Sequence, residues 1–182
     1  MTAFYAPLRS FQQGLQDIIS LDQQIVELSK VTGETSIALE EMGNTAIEMA
    51  TNLGRSAQEI AEATTAFARL GYEIQEASRL AEEAVVLDVV GNFNDINKAT
   101  TALTSTMKAY NLEAEEARQV TDAVNLVGNN FAASQEDISE ILRRSSSAMQ
   151  AANNEMEELI ALGVGGQEVV QNARQVGTAL NG

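Results

Sequence analysis

Apolar residues recur at three- and four-residue spacings along most of the chain, and three of these stripes open directly behind a similar short polar phrase. The phrase reads Ser56-Ala57-Gln58-Glu59-Ile60, then Phe93-Asn94-Asp95-Ile96, then Ser134-Gln135-Glu136-Asp137-Ile138. Short polar or acidic residues just ahead of a periodic apolar stripe mark a helix N-terminus. Ser56 and Glu59 have the spacing of a capping box, in which each side chain satisfies an orphan backbone N–H of the other, and Ser134 with Asp137 is a looser version. Downstream of the first two copies the text stays parallel, with Ala63-Thr64-Thr65-Ala66-Phe67 answered by Ala99-Thr100-Thr101-Ala102-Leu103. The three isoleucines lie 36 and 42 residues apart. A period in that range predicts stacked helical hairpins, and its irregularity argues against a strict solenoid.

The stripes predict these elements in order. Pro7 suits the first turn of a helix over 7–31. Leu8 and Leu15, and Phe11, Ile18 and Ile25, form a heptad seam that calls for a partner helix. Asp22 interrupts the seam, Leu21 and Leu28 shift it sideways, and Gly14 weakens the helix by about 1 kcal/mol relative to alanine. Gly33 supplies a left-handed exit and Thr35 or Ser36 a cap. A second helix carries Leu39, Met42, Ala46, Met49 and Leu53 and ends at Gly54. The third, Ser56 to Leu70, is expected to bury Ile60, Ala63, Phe67 and Leu70 and to stop at Gly71. The fourth, near 75–90, presents Ala77, Ala81, Ala84, Val85 and Leu87, and Gly91-Asn92 turns the chain. The fifth presents Ile96, Leu103, Met107 and Tyr110; the sixth, 113–127, presents Ala117, Val120, Val124 and Val127, with a break at Gly128-Asn129-Asn130. The seventh carries Ile138, Ile141 and Leu142. Asn153-Asn154 separates it from an eighth helix ending at Gly163. Gly165-Gly166 is expected to turn into a last helix bearing Val169, Val170, Ala173, Val176 and Leu180. The fold class is all-α: a long helical hairpin over 1–54, partly coiled-coil-like, followed over 55–182 by antiparallel hairpins in an irregular helical-repeat array. A helix that runs to the final residues implies a piece of a longer chain.

Composition agrees and narrows the chemistry. A single proline and 4% aromatic residues favour helix throughout. Twenty-six acidic residues against 11 basic give a formal charge of −15, so phosphate is repelled and high-affinity nucleic-acid binding is not expected. The chain has no histidine and no cysteine, which removes disulfides, imidazole or thiolate metal ligation and histidine acid–base catalysis. No apolar run approaches the roughly 20 residues of a membrane span, and the N-terminus lacks the pattern of a secretory leader.

The remaining candidates for chemistry are weak. Gly163-Val164-Gly165-Gly166 has neither a preceding strand nor a P-loop lysine and reads as a helix-to-helix turn. Asp88 to Asp95 lacks the acidic alternation and closing glutamate of a calcium loop. Glu82-Glu83, Glu115-Glu116 and Glu157-Glu158 are adjacent pairs whose members point about 100° apart on a helix, so they read as solvated faces rather than a catalytic pair. Arg143-Arg144 has an i,i+4 partner in Glu140. Met42, Met49, Met107, Met149 and Met156 fall mostly on apolar stripes and read as core filling, with an adaptable binding surface as the other possibility. No catalytic, cofactor-binding or metal-binding residue is identified, and the chain is not expected to be an enzyme. The residues alone describe an acidic all-helical structural or interaction module.

Beside this reading stands a resemblance. The stretch Leu21-Asp22-Gln23-Gln24-Ile25-Val26-Glu27-Leu28 through Thr32-Gly33, then Ala57-Gln58-Glu59-Ile60-Ala61-Glu62-Ala63 and Leu70-Gly71-Tyr72, resembles the core region of phage tail tape measure proteins. Ala99-Thr100-Thr101-Ala102-Leu103 with Ala109-Tyr110-Asn111-Leu112, the run from Ser134 to Glu140, Glu157-Glu158-Leu159-Ile160-Ala161-Leu162 and Gly177-Thr178-Ala179-Leu180 continue it in order. Asn111 stands where that family usually has glycine, and the polar run Arg143-Arg144-Ser145-Ser146-Ser147 stands where it is richer in alanine. The resemblance implies the N-terminal core of a longer structural chain of a phage, prophage or phage-tail-like particle. Such a chain takes part in tail length determination and assembly, in the bacterial cytoplasm and then in the lumen of the virion tail. It implies tail tube protein, tail assembly chaperones and other copies of itself as partners, and a homo-oligomer. The rival reading is an acidic helical scaffold unrelated to phage.

Overall fold

A computed structural model of the chain describes the backbone of residues 6–91, 93–131 and 133–182, and the side chains of those residues from Gln16 onward. Among the described residues there are nine α-helices and no strand: α1 (Ala6–Thr32), α2 (Ser36–Leu53), α3 (Ala57–Ala68), α4 (Ile74–Gly91), α5 (Ile96–Tyr110), α6 (Ala117–Asn130, entered through a 3-10 turn Ala114–Glu116), α7 (Gln135–Ala151), α8 (Met156–Val170) and α9 (Ala173–Ala179). The all-α expectation holds. The side chains of Leu8, Phe11 and Leu15 in the heptad seam, Asn92 of the predicted turn and the first five residues lie outside the described residues.

The helix starts follow the phrase read in the sequence, and extend it. Ser56 Oγ accepts from the Glu59 N–H at 3.2 Å while Glu59 Oε2 accepts from the Ser56 N–H at 2.9 Å. Ser134 and Asp137 make the same reciprocal pair at 3.1 and 3.3 Å, a full box rather than a loose one. In the middle copy Asp95 instead accepts from the Asn97 N–H at 3.1 Å. Three further starts use the same reach-back without a serine: Glu76 to the N–H of Glu73, Glu116 to that of Glu113 and Glu158 to that of Glu155, at 3.2, 3.0 and 3.0 Å. A carboxylate there satisfies an orphan donor and complements the positive end of the helix. At the other ends, Gly54 caps α2 with φ 67°, and Asn111 takes the same left-handed region after α5 with φ 53°. Asparagine tolerates that region, which is why it replaces glycine there.

The chain forms two compact units, Met1–Ala81 and Glu82–Gly182. In the first, α1 and α2 both pack on α3. The short α3 is buried nearly all round, through Ile60, Ala61, Ala63, Thr64, Thr65, Phe67 and Ala68. Thr64 and Thr65 lie in this core because their hydroxyls donate to the carbonyls of Ile60 and Ala61 at 2.9 and 2.8 Å. Leu28, Leu39, Met42 and Ala46 supply the facing surface. Leu70 departs from expectation and is 40% exposed. The helix closes at Ala68, and the turn bonding the Leu70 N–H to the Phe67 carbonyl takes Leu70 out of the helical phase that would have turned it inward.

In the second unit α7 packs against α5, α6, α8 and α9. Ile138, Ile141, Leu142 and Met149 are buried, as are Ser145 and Ser146, whose hydroxyls donate to the carbonyls of Ile141 and Leu142 at 2.6 Å. With its donor satisfied inside its own helix, each serine acts as a small core residue in place of alanine. The predicted stripes of α5 and α6 are buried at Ile96, Leu103, Met107, Ala117, Val120, Val124 and Val127.

One predicted break is displaced and one is absent. The helix continues through Gly128 and Asn129 and ends at Asn130, the last residue of the predicted break, while α8 runs without interruption through Gly163, Gly165 and Gly166. The physical reason is close packing: a Cβ on Gly163 would sit 3.1 Å from Ile141 Cγ2, and one on Gly166 2.8 Å from Val176 Cγ1. A Cβ on Gly128 would overlap the Gln135 side chain. Val169 and Val170 consequently end α8 instead of opening the last helix, and both are exposed.

The two adjacent glycines are predicted to differ. A Cβ on Gly165 meets nothing within 4 Å, so Gly165→Ala should stabilise the chain by about 1 kcal/mol through helix propensity. Gly166→Ala forces the stiff Val176 to move and should give a net loss of about 1 kcal/mol. Urea unfolding of the two variants checks this; equal losses would restore the predicted turn.

Candidate interaction surfaces

The features singled out in the sequence fall mostly into structural roles. Asp88 is 1% exposed and its Oδ1 accepts from the Asp95 N–H at 3.0 Å, while its carbonyl accepts from the Phe93 N–H, so this carboxylate closes the α4–α5 connection. Among the described residues no group of acidic side chains is placed to hold a metal ion, and no helix is long and apolar enough to cross a membrane. Met42, Met107, Met149 and Met156 are buried and Met49 is half-buried, in keeping with core filling. In two acidic pairs the second member, Glu116 or Glu158, is the reach-back cap described above. The signal was legible as Glu-x-x-Glu, but glutamate is too common in this chain for the spacing to stand out.

Glu83 differs from the other paired glutamates. Burial raises its carboxyl above the ordinary glutamate range, against weaker opposing effects of Thr121 and Arg118. The buried Thr121 hydroxyl faces it without reaching hydrogen-bond geometry.

Arg143-Arg144 turns out to be part of a larger cluster. Glu140 Oε1 and Oε2 accept from Arg143 Nη2 and Nε at 2.9 Å each, and Oε1 also accepts from Arg144 Nε at 2.6 Å. Arg174, on α9, approaches the same carboxylate at 3.7 Å. Sequence spacing exposes the first two partners and cannot expose the third, which depends on α9 folding back onto α7. Burial pushes the Glu140 carboxyl up, but the hydrogen bonds and charges of Arg143 and Arg144 together outweigh it and hold the group below the ordinary range. The stem of Arg144 lies against α9, with its Cβ 3.0 Å from where a Cβ on Gly177 would be.

Beside this cluster is a groove of about 590 Å³ between the N-terminal ends of α5, α7 and α9. Phe93 and Ala173 contribute apolar surface, and Lys98 pairs with Glu136 across it at 3.4 Å. The Ser139 hydroxyl, 1% exposed, borders it without a protein hydrogen-bond partner. A second hollow of about 420 Å³ is lined by amides, including Gln119, Gln150 and Asn154, and by Tyr110. Burial, and then the nearby Glu157 and Glu158, raise the Tyr110 phenol above its ordinary value. The groove offers charges of both signs and the hollow offers amides.

Capped, tightly packed helices around buried small residues define an all-helical protein. The sequence matches the phage-related minor tail protein family over residues 43–182. The chain belongs to that family and is a structural component of a phage tail. No solved structure matches it.

Glu140 and Glu83 should give opposite pH signatures. Glu140 has a lowered pKa in the fold, so its stabilisation is present above the ordinary glutamate value and is lost as pH falls through the folded value. Glu140→Gln should cost about 1–2 kcal/mol at neutral pH and flatten that acid limb. Glu83 has a raised pKa, so its contribution is full below the ordinary value and declines as pH rises through the folded one. Glu83→Gln should therefore stabilise at neutral pH. Urea midpoints between pH 3 and 8 measure both.

Proposed function

We propose that this chain is the N-terminal core region of a tape measure protein, taking part in tail length determination and tail assembly. The observation that carries the proposal is the ordered set of motifs from Leu21 to Leu180, set beside membership of the minor tail family over 43–182. The rival scaffold unrelated to phage does not fit that membership. Length setting belongs to the full-length protein: 182 residues span roughly 270 Å even as one uninterrupted helix, and far less as folded hairpins. The segment acts as a docking piece in the tail lumen, assembled in the bacterial cytoplasm, with tail tube protein, tail assembly chaperones and further copies of itself as partners. It performs no catalysis and carries no cofactor; a muramidase activity abolished by a Glu→Gln substitution would overturn this.

Self-association is proposed to run through α1. Ile18 and Ile19 are 66% and 57% exposed, and Val26, seven residues beyond Ile19, is exposed as well. Exposed apolar positions one heptad apart, on the face of α1 left open after it packs on α3, are stable when a further helix covers them. Light scattering across concentration, with and without the tube subunit, tests both parts. A defined complex with the tube subunit is expected; a chain indifferent to that subunit would move the docking function elsewhere. Ile18→Asp is expected to dissociate the homo-oligomer, and an unchanged mass would remove α1 from the interface.

A further inference from the structure

We propose that the outer face of α8 is a docking surface for a helix of another protein, one with an apolar ridge flanked by lysine or arginine. The inner face of α8 is already used: Leu159, Ile160, Gly163 and Val164 are buried, and the helix packs on α6, α7 and α9. The opposite face is apolar too. Ala161, Leu162, Gly165 and Val169 share one strip of the helix surface, and all four are exposed. Val169 is 84% exposed, more than any other large apolar side chain among the described residues, and Leu162 is 50% exposed. A soluble helix needs one apolar stripe for its own core; a second one marks a second neighbour.

The strip has the shape of a helix-packing site. Leu162 and Val169 are one heptad apart, about 10 Å along the axis. Between them a Cβ on Gly165 would meet nothing within 4 Å, which leaves a gap bordered by two ridges. That is the hole into which a knob of a facing helix inserts.

Charge identifies the occupant. Glu157 and Glu168 border the strip on one side and Glu158 lies at its N-terminal end, all three exposed. No lysine or arginine occurs anywhere from residue 145 to residue 173. A second copy docked face to face would oppose these glutamates to themselves, whereas a basic-flanked helix would neutralise them, and like charges across an interface are strongly disfavoured. The proposal concerns this face alone and stands whether or not the tape measure reading holds.

Fluorescence anisotropy with three labelled synthetic peptides and the full 182-residue chain tests it. One peptide is an amphipathic helix with a leucine ridge and lysine flanks, the second has the same ridge with glutamate flanks, and the third is a scramble of the first with the same charge and no ridge. The lysine-flanked helix should bind about tenfold or more tighter than both others. Val169→Ser and Leu162→Ser, which leave the charge unchanged at exposed positions, should each weaken it about fivefold or more, while Val169→Ile retains binding. Ile18→Ser, on α1, should leave it unchanged. Equal binding of the scramble would reduce the effect to non-specific charge and overturn the proposal. So would unaltered binding by Val169→Ser, equal binding of the glutamate-flanked helix, or a change in the mass of the free protein on Val169→Ser, which would make the face a self-association surface.

Discussion

The second unit depends on how closely other helices approach α7. Helices normally pack with axes 8–10 Å apart, the distance set by the side chains between them. Around α7 those side chains are small at the positions that matter: Gly163 of α8 lies against Ile141, and Gly177 of α9 against the stem of Arg144. Ser145 and Ser146 are buried in α7 itself. A central helix packed against four others buries small polar residues as well as apolar ones. Ser145 and Ser146 bond their i−4 carbonyls, so their burial leaves no donor unsatisfied.

The same close approach extends an electrostatic cluster on α7. Arg143 and Arg144 would hold Glu140 within α7 on spacing alone, as ordinary i,i+3 and i,i+4 pairs. Docking of α9 adds Arg174 to the same carboxylate and covers the stem of Arg144. A chain of net charge −15 gains from such local neutralisation, because the acidic surface that keeps it soluble also repels itself in the compact state.

The family places the chain in a phage tail, and apolar faces are left over on its helices after the cores are filled. Two of these faces differ in kind. The α1 strip carries a heptad register, while the outer face of α8 pairs a knob-accepting gap with an acidic border.

The sequence by itself determined the helices: their number, most of their starts and most of their buried stripes. Periodicity and caps are local, and residues such as Ser56 with Glu59, or Asn111 at φ 53°, act within one turn of chain. The glycines of α6 and α8 read locally as turns, whereas Gly128, Gly163 and Gly166 admit Gln135, Ile141 and Val176. Likewise Ser145 and Ser146 look like surface residues until α7 is seen at the centre of its unit. Tertiary structure alone decided which small residues are contacts and which apolar residues, such as Val169, are left uncovered. Burial depends on neighbours distant in sequence, and no window of helical periodicity contains them.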